Sequence, residues 1–172
     1  MTVSMILSLN SVGCKGIGET PLEGAAVILI GMKKVKQFYS KIRAPVPFSQ
    51  LSSAQQNSVT YGLNLSGTPW QYEDTVPSVV EFFQNIVDLM QTYEPRYIVT
   101  KGSGQNALVV KYLEAYGVPV IDANNIGMPK FADCPLVSVP VCEDHMSAGE
   151  KRKYCSIHRA HQIAFFCPVN LE

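Results

Sequence analysis

Apolar positions in the first half of the chain alternate with the short period of β-strands. Three runs predict strands, from Ser4 to Leu9, from Gly24 to Gly31 and from Val35 to Arg43. The connections between these runs are short, which favours an antiparallel meander. Pro45 and Pro47 follow directly, and they end the pairing because proline has no N–H to donate to a neighbouring strand.

The second half of the chain alternates between helical and strand spacing. The predicted elements are a helix from Pro77 to Met90, a strand over 96–100, a helix over 106–116, a strand over 118–122 and a helix over about 154–166. Proline at the start of the first helix costs nothing, because the N–H it lacks has no partner there. Three strands followed by helices that alternate with strands predict an α/β fold.

This order of elements is that of RNase H-like proteins, and in particular of DnaQ-type (DEDD) exonucleases. The segment from Thr100 to Asp122 resembles the second carboxylate motif of those enzymes, in which a strand enters a small-residue turn and an acidic residue opens a helix. We therefore expect one domain over 1–172, with a mixed five-stranded sheet flanked by helices and a C-terminal zinc site.

The acidic residues that such exonucleases need are replaced in this chain. Two divalent metal ions about 4 Å apart are held by four carboxylates. The resemblance places Asn10, Val12, Asn106 and Ile163 at those four positions. Neutral amides and aliphatic side chains cannot hold two divalent cations, so we expect no two-metal exonuclease chemistry.

The composition indicates where in the cell the protein is found more clearly than it indicates the function. The chain has 172 residues, 47% of them hydrophobic and 16% charged, with 14 basic and 14 acidic residues. This is typical of a globular protein, and any contact with nucleic acid must come from a local basic patch. No apolar run reaches the roughly 20 residues of a membrane span, and no secretory signal is visible. We expect an intracellular protein whose five cysteines are thiols or metal ligands.

Cysteine and histidine residues near the C-terminus have the spacing of a zinc site. Cys142 and His145 are three positions apart, and Cys155 follows at the start of the last predicted helix. One more donor would complete a tetrahedral structural zinc site. Spacing alone favours His158 as the fourth ligand, and Glu23 on the second strand is the alternative.

Four segments resemble the MAEL domain of Maelstrom proteins, which act in the piRNA pathway. They are Gly18 to Ala25, Phe38 to Pro45, Val99 to Lys101 and the tail from Cys142 to Cys155. The resemblance implies an RNase H-like fold without exonuclease carboxylates and with a Glu-Cys-His-Cys zinc set. That set corresponds to Glu23, Cys142, His145 and Cys155, with His158 then left out.

The resemblance also implies a function and a location. It suggests an RNA-binding or adaptor domain in piRNA-guided transposon silencing, present in cytoplasmic germ granules and in the nucleus. Its partners would be single-stranded or structured RNA and other piRNA-pathway proteins, with no membrane. Basic residues that could contact phosphates are Lys33, Lys34, Lys36, Lys101, Lys151, Arg152, Lys153 and Arg159. Solvated charged surface is the alternative interpretation of these residues.

Two other functions are compatible with the sequence. The first is a metal-independent nuclease for single-stranded RNA, with His158 or His161 as acid or base and Lys101 or Arg159 against a phosphate. The second is a divergent pseudo-exonuclease that binds proteins. In it the former cleft has an apolar floor, which requires Val12, Asn106 and Ile163 to be exposed.

Overall fold

A five-stranded mixed sheet organises the chain. The computed structural model describes residues 2–14, 18–57, 72, 74–137, 139 and 155–170. The strands are β1 (Val3–Cys14), β2 (Gly18–Ile30), β3 (Lys33–Lys41), β4 (Tyr97–Thr100) and β5 (Val120–Asp122). Their order across the sheet is β3-β2-β1-β4-β5. The first three strands are antiparallel, as predicted from their short connections. Strand β4 pairs in parallel with β1, and β5 pairs in parallel with β4.

Four helices accompany the sheet in the described part of the chain. They are α1 (Ser53–Asn57), α2 (Val79–Tyr93), α3 (Ser103–Leu113) and α4 (Ser156–Asn170). Helix α2 begins at Ser78, whose side chain accepts a hydrogen bond from the backbone N–H of Glu81. Short 3-10 turns lie at Phe48–Gln50, Glu114–Tyr116, Ala123–Ile126 and Phe131–Asp133. None of the described helices has the length and apolar character needed to cross a membrane.

Side-chain alternation along β1 divides the core into two layers. Met5, Leu7 and Leu9 belong to the layer that packs against α2 and α3. Ile6 belongs to the opposite layer, which is covered by α4. Because the side-chain period of a strand is two, Ser8 and Asn10 share the face of Ile6, and both are buried. Polar side chains of β1 therefore lie on the α4 face of the sheet.

The first strands extend further than the apolar pattern predicts. The predicted first strand ends at Leu9, whereas β1 continues to Cys14 and stays paired with β2. The ladder shifts register between Asn10 and Ser11, which is the signature of a β-bulge. Polar residues are tolerated in this stretch because distant elements supply their hydrogen bonds, which the local pattern does not reveal.

Candidate functional site

The buried amide of Asn10 stands where the sequence comparison placed the first metal carboxylate. Its side chain is 2% exposed, and Asn10 is paired across the sheet with Glu23 of β2. The Asn10 Nδ2 donates to Glu23 Oε1 at 2.5 Å. An acidic residue of the neighbouring strand therefore faces an amide at this point of β1.

The carboxylate of Glu23 is completely buried and surrounded by hydrogen-bond donors. The backbone N–H and the hydroxyl of Ser156 donate to Oε1 at 3.1 and 2.7 Å. The hydroxyl of Tyr39 donates to Oε2 at 2.6 Å. Burial of a charge is costly unless it is compensated, and these donors compensate it by connecting β1, β2, β3 and the start of α4.

Two of the four predicted zinc ligands, Glu23 and Cys155, belong to the described part of the chain. Cys155 is fully buried and directly precedes Ser156, which contacts Glu23. The other two predicted ligands, Cys142 and His145, lie outside the described residues. Within the described ranges, no three His, Cys, Asp or Glu residues are grouped closely enough to hold a metal ion.

The ring of His158 is oriented by a backbone contact. His158 is fully buried, and its Nε2 accepts a hydrogen bond from the N–H of Val137 at 3.1 Å. This contact holds the ring against the backbone at Val137, and His158 stays the alternative fourth ligand that spacing suggests.

His161 is also removed from the surface. Its ring is 6% exposed, and Nε2 lies 2.6 Å from Oε1 of Gln37 on β3. Burial, and to a smaller extent the charges of Lys34 and His158, lower the pKa of His161 to about 4. The rings of His158 and His161 are both buried, away from any phosphate at the surface. The structure therefore does not support the acid or base roles considered for them.

The apolar cleft expected for a protein-binding module is absent at the predicted positions. Val12 is 4% exposed and packs with Leu22, Ala44 and Leu51. Ile163 is completely buried in the separate layer under α4. The prediction that these side chains form an exposed floor is wrong, because both are buried in packing contacts. Asn106 is half-buried, with its Nδ2 3.5 Å from Oγ1 of Thr100.

Two of the predicted basic residues converge on one aromatic ring. The Nζ of Lys101 lies 5.3 Å from the ring centroid of Phe131, and the guanidinium carbon of Arg159 lies 4.9 Å from it. Lys101 follows β4 directly, and Arg159 is in the first turn of α4. Sequence reasoning named both cations and missed Phe131, which no local pattern connects to either of them.

The remaining predicted basic residues are divided between an edge strand and a segment outside the described residues. Lys33, Lys34 and Lys36 are exposed on β3, and partial burial lowers the pKa of Lys34. Lys151, Arg152 and Lys153 lie outside the described residues.

Comparison with known proteins identifies the fold of the chain. The sequence matches no model of a known protein family and no curated protein. The structure resembles a full-length 3'-exonuclease, with a TM-score of 0.55 and 15% identity over 98% of this chain and 81% of that one. It also resembles the nuclease domain of 3'hExo, a DEDDh family member bound to rAMP, with a TM-score of 0.59 and 14% identity over 98% and 91% of the two chains. The chain therefore has the RNase H-like fold of DEDDh exonuclease domains.

Proposed function

We propose that this RNase H-like domain binds single-stranded RNA without two-metal catalysis, and that a structural zinc ion ties its last helix to the sheet. One observation carries the proposal: the buried carboxylate beside Asn10 belongs to Glu23, and it connects to α4 through Ser156. A DEDD exonuclease would hold metal ions in this region with several carboxylates. Here a single carboxylate joins strands to a helix.

Two members of the zinc set Glu23, Cys142, His145 and Cys155 belong to the described residues, and their surroundings support it. Glu23 and Cys155 are both fully buried, and Ser156, which directly follows Cys155, donates to Glu23 across 133 positions of the chain. Carboxylate oxygen and thiolate sulfur are both zinc ligands. A zinc ion at this point would hold the start of α4 against β2 and supply stability, with no step of a reaction assigned to it.

Metal content and melting temperature test the zinc proposal. We expect one zinc ion per chain in the purified protein, and its loss in Glu23→Ala and His145→Ala but not in the control His158→Ala. A chelator should lower the melting temperature of the wild type, because an ion bound only by the folded state stabilises that state. Zinc that is lost with His158→Ala and retained with Glu23→Ala would contradict this ligand set.

RNA binding is the second part of the proposal. Its support is the fold of nucleic-acid enzymes, the exposed lysines on β3 and the half-buried Arg159 on α4. We expect a labelled single-stranded RNA to bind equally well with and without added Mg²⁺, and to remain intact. Degradation of the RNA that requires Mg²⁺ or Mn²⁺ would refute the loss of two-metal chemistry.

The resemblance to Maelstrom domains supports a role in piRNA-guided transposon silencing, as an RNA-binding or adaptor domain. In the host germline, loss of this protein should raise transposon transcript levels. Restoration by the wild-type chain but not by Glu23→Ala would connect that role to the site described above. Unchanged transposon transcripts after its loss would argue against this pathway.

A further inference from the structure

Lys101 and Arg159 form a compact pair of positive charges, which we call the cation pair. The Nζ of Lys101 and the guanidinium carbon of Arg159 lie 5.3 and 4.9 Å from the centroid of the Phe131 ring. The two charged groups are therefore at most about 10 Å apart. That upper limit is close to the Debye length at physiological salt, roughly 8 Å. An anion close to both groups would interact favourably with each of them.

Each member of the cation pair donates a hydrogen bond to a neutral amide. Lys101 donates through Nζ to Oδ1 of Asn124, and Arg159 donates through Nη1 to Oδ1 of Asn10 at 3.3 Å. Within the described ranges, no carboxylate lies at ion-pair distance from Lys101. The two amides orient the side chains, and a neutral amide does not compensate the charge of the group that it binds.

The cation pair spans the region from which the exonuclease carboxylates are missing. Arg159 contacts Asn10, which stands at the first carboxylate position. Lys101 lies between β4 and the N-terminus of α3, the helix that carries Asn106 at another such position. In a two-metal enzyme, positive charge in this region comes from metal ions that contact a phosphate. Here the side chains themselves supply positive charge.

We propose that Lys101 and Arg159 jointly bind one phosphodiester group of a single-stranded nucleic acid, in the region where an exonuclease would use metal ions. A guanidinium and an ammonium group both form charge-assisted hydrogen bonds to phosphate oxygens. Phe131 holds the two side chains in place through cation–π contacts. This inference rests on the RNA-binding function proposed above and specifies the group that is recognised.

The test is binding of a fluorescein-labelled oligouridylate, followed by anisotropy at several salt concentrations. Lys101→Met and Arg159→Gln each remove one charge and keep much of the side chain. Arg159→Lys keeps the charge. Lys111→Met is a matched control, because Lys111 also lies near an aromatic ring, 5.4 Å from the centroid of Tyr112, but on the exposed side of α3.

Loss of one phosphate contact should lower the salt-dependence slope by about 0.7 and weaken binding roughly three- to tenfold. We expect this for Lys101→Met and Arg159→Gln, and a wild-type slope for Arg159→Lys and Lys111→Met. Circular dichroism confirms that each variant is folded. A wild-type slope in Lys101→Met overturns the phosphate site and leaves RNA binding intact. No binding by the wild type overturns the proposed function and this inference together.

Discussion

Replacement of Gly24 by alanine is a direct test of how α2 packs on the sheet. A Cβ at this position would lie 2.8 Å from Cδ2 of Leu9 and 2.9 Å from Cε2 of Phe82, and closer still to Cζ of Phe82. Carbon atoms in good contact are about 3.5–4.0 Å apart. Gly24 is therefore required for the close approach of the Phe82 ring to β2.

The cost follows from how little these neighbours can move. Leu9 and Phe82 are both completely buried, and the Phe82 ring packs against Phe38 and Phe83, with centroids 5.9 and 5.3 Å apart. Overpacking of this kind costs about 1–3 kcal/mol, while the stiffer unfolded chain returns up to about 1 kcal/mol. We expect Gly24→Ala to lower the free energy of unfolding by about 2 kcal/mol.

Urea unfolding monitored by circular dichroism measures this loss, and Gly104→Ala is the matched control. Nothing lies within 4 Å of a Cβ built at Gly104, which is in α3, so that substitution should leave stability unchanged or raise it by up to about 1 kcal/mol. Phe82→Leu should relieve the crowding at Gly24→Ala. The two substitutions together should therefore cost less than the sum of their separate costs, by about 1 kcal/mol or more. A Gly24→Ala protein as stable as the wild type would refute the packing argument.

Three further substitutions test individual polar side chains. The pKa of His161 is about 4 in the folded state and 6.5 ordinarily. As the pH falls, His161 is therefore protonated first in the unfolded chain. The free energy of unfolding should fall by roughly 2 kcal/mol between pH 7 and 5. His161→Gln keeps a donor for Gln37 and should remove that part of the pH dependence in urea titrations. Ser8 is buried, and its hydroxyl has no hydrogen-bond partner among the described residues, so Ser8→Ala should be neutral or stabilising by up to about 1 kcal/mol in the same assay. Asp122 accepts two backbone N–H groups at 2.9 Å each, and Asp122→Ala should lower the thermal midpoint through a loss of about 1–2 kcal/mol.

The amino-acid sequence was sufficient for the order and type of the main elements. Strand and helix periods are local properties of the chain, so the five strands and the three longer helices were all predicted near their observed places. The boundaries were less certain, as in β1, which passes Asn10 and reaches Cys14. The loss of acidic residues at the predicted carboxylate positions is also a matter of residue type alone.

The environment of each polar side chain was decided by the tertiary structure. Spacing along the chain makes His158 a candidate zinc ligand but gives no partner for its ring, which in the fold accepts a hydrogen bond from the N–H of Val137. Val12 and Ile163 were assigned to one cleft floor, but they are buried in different clusters. The hydrophobic period of a strand or helix predicts the face on which a side chain lies, but it does not predict which residue that side chain contacts.

Glu23 shows the physical reason most clearly. In the sequence it is one acidic residue in an apolar strand, and its burial would be prohibitively costly without donors. Those donors come from Tyr39, 16 positions away, and from Ser156, 133 positions away. Residue types and periods thus determined the strands of the sheet and its helices. Only the packing of α4 on the sheet determined that Ser156 would contact Glu23 and that Arg159 would contact Asn10.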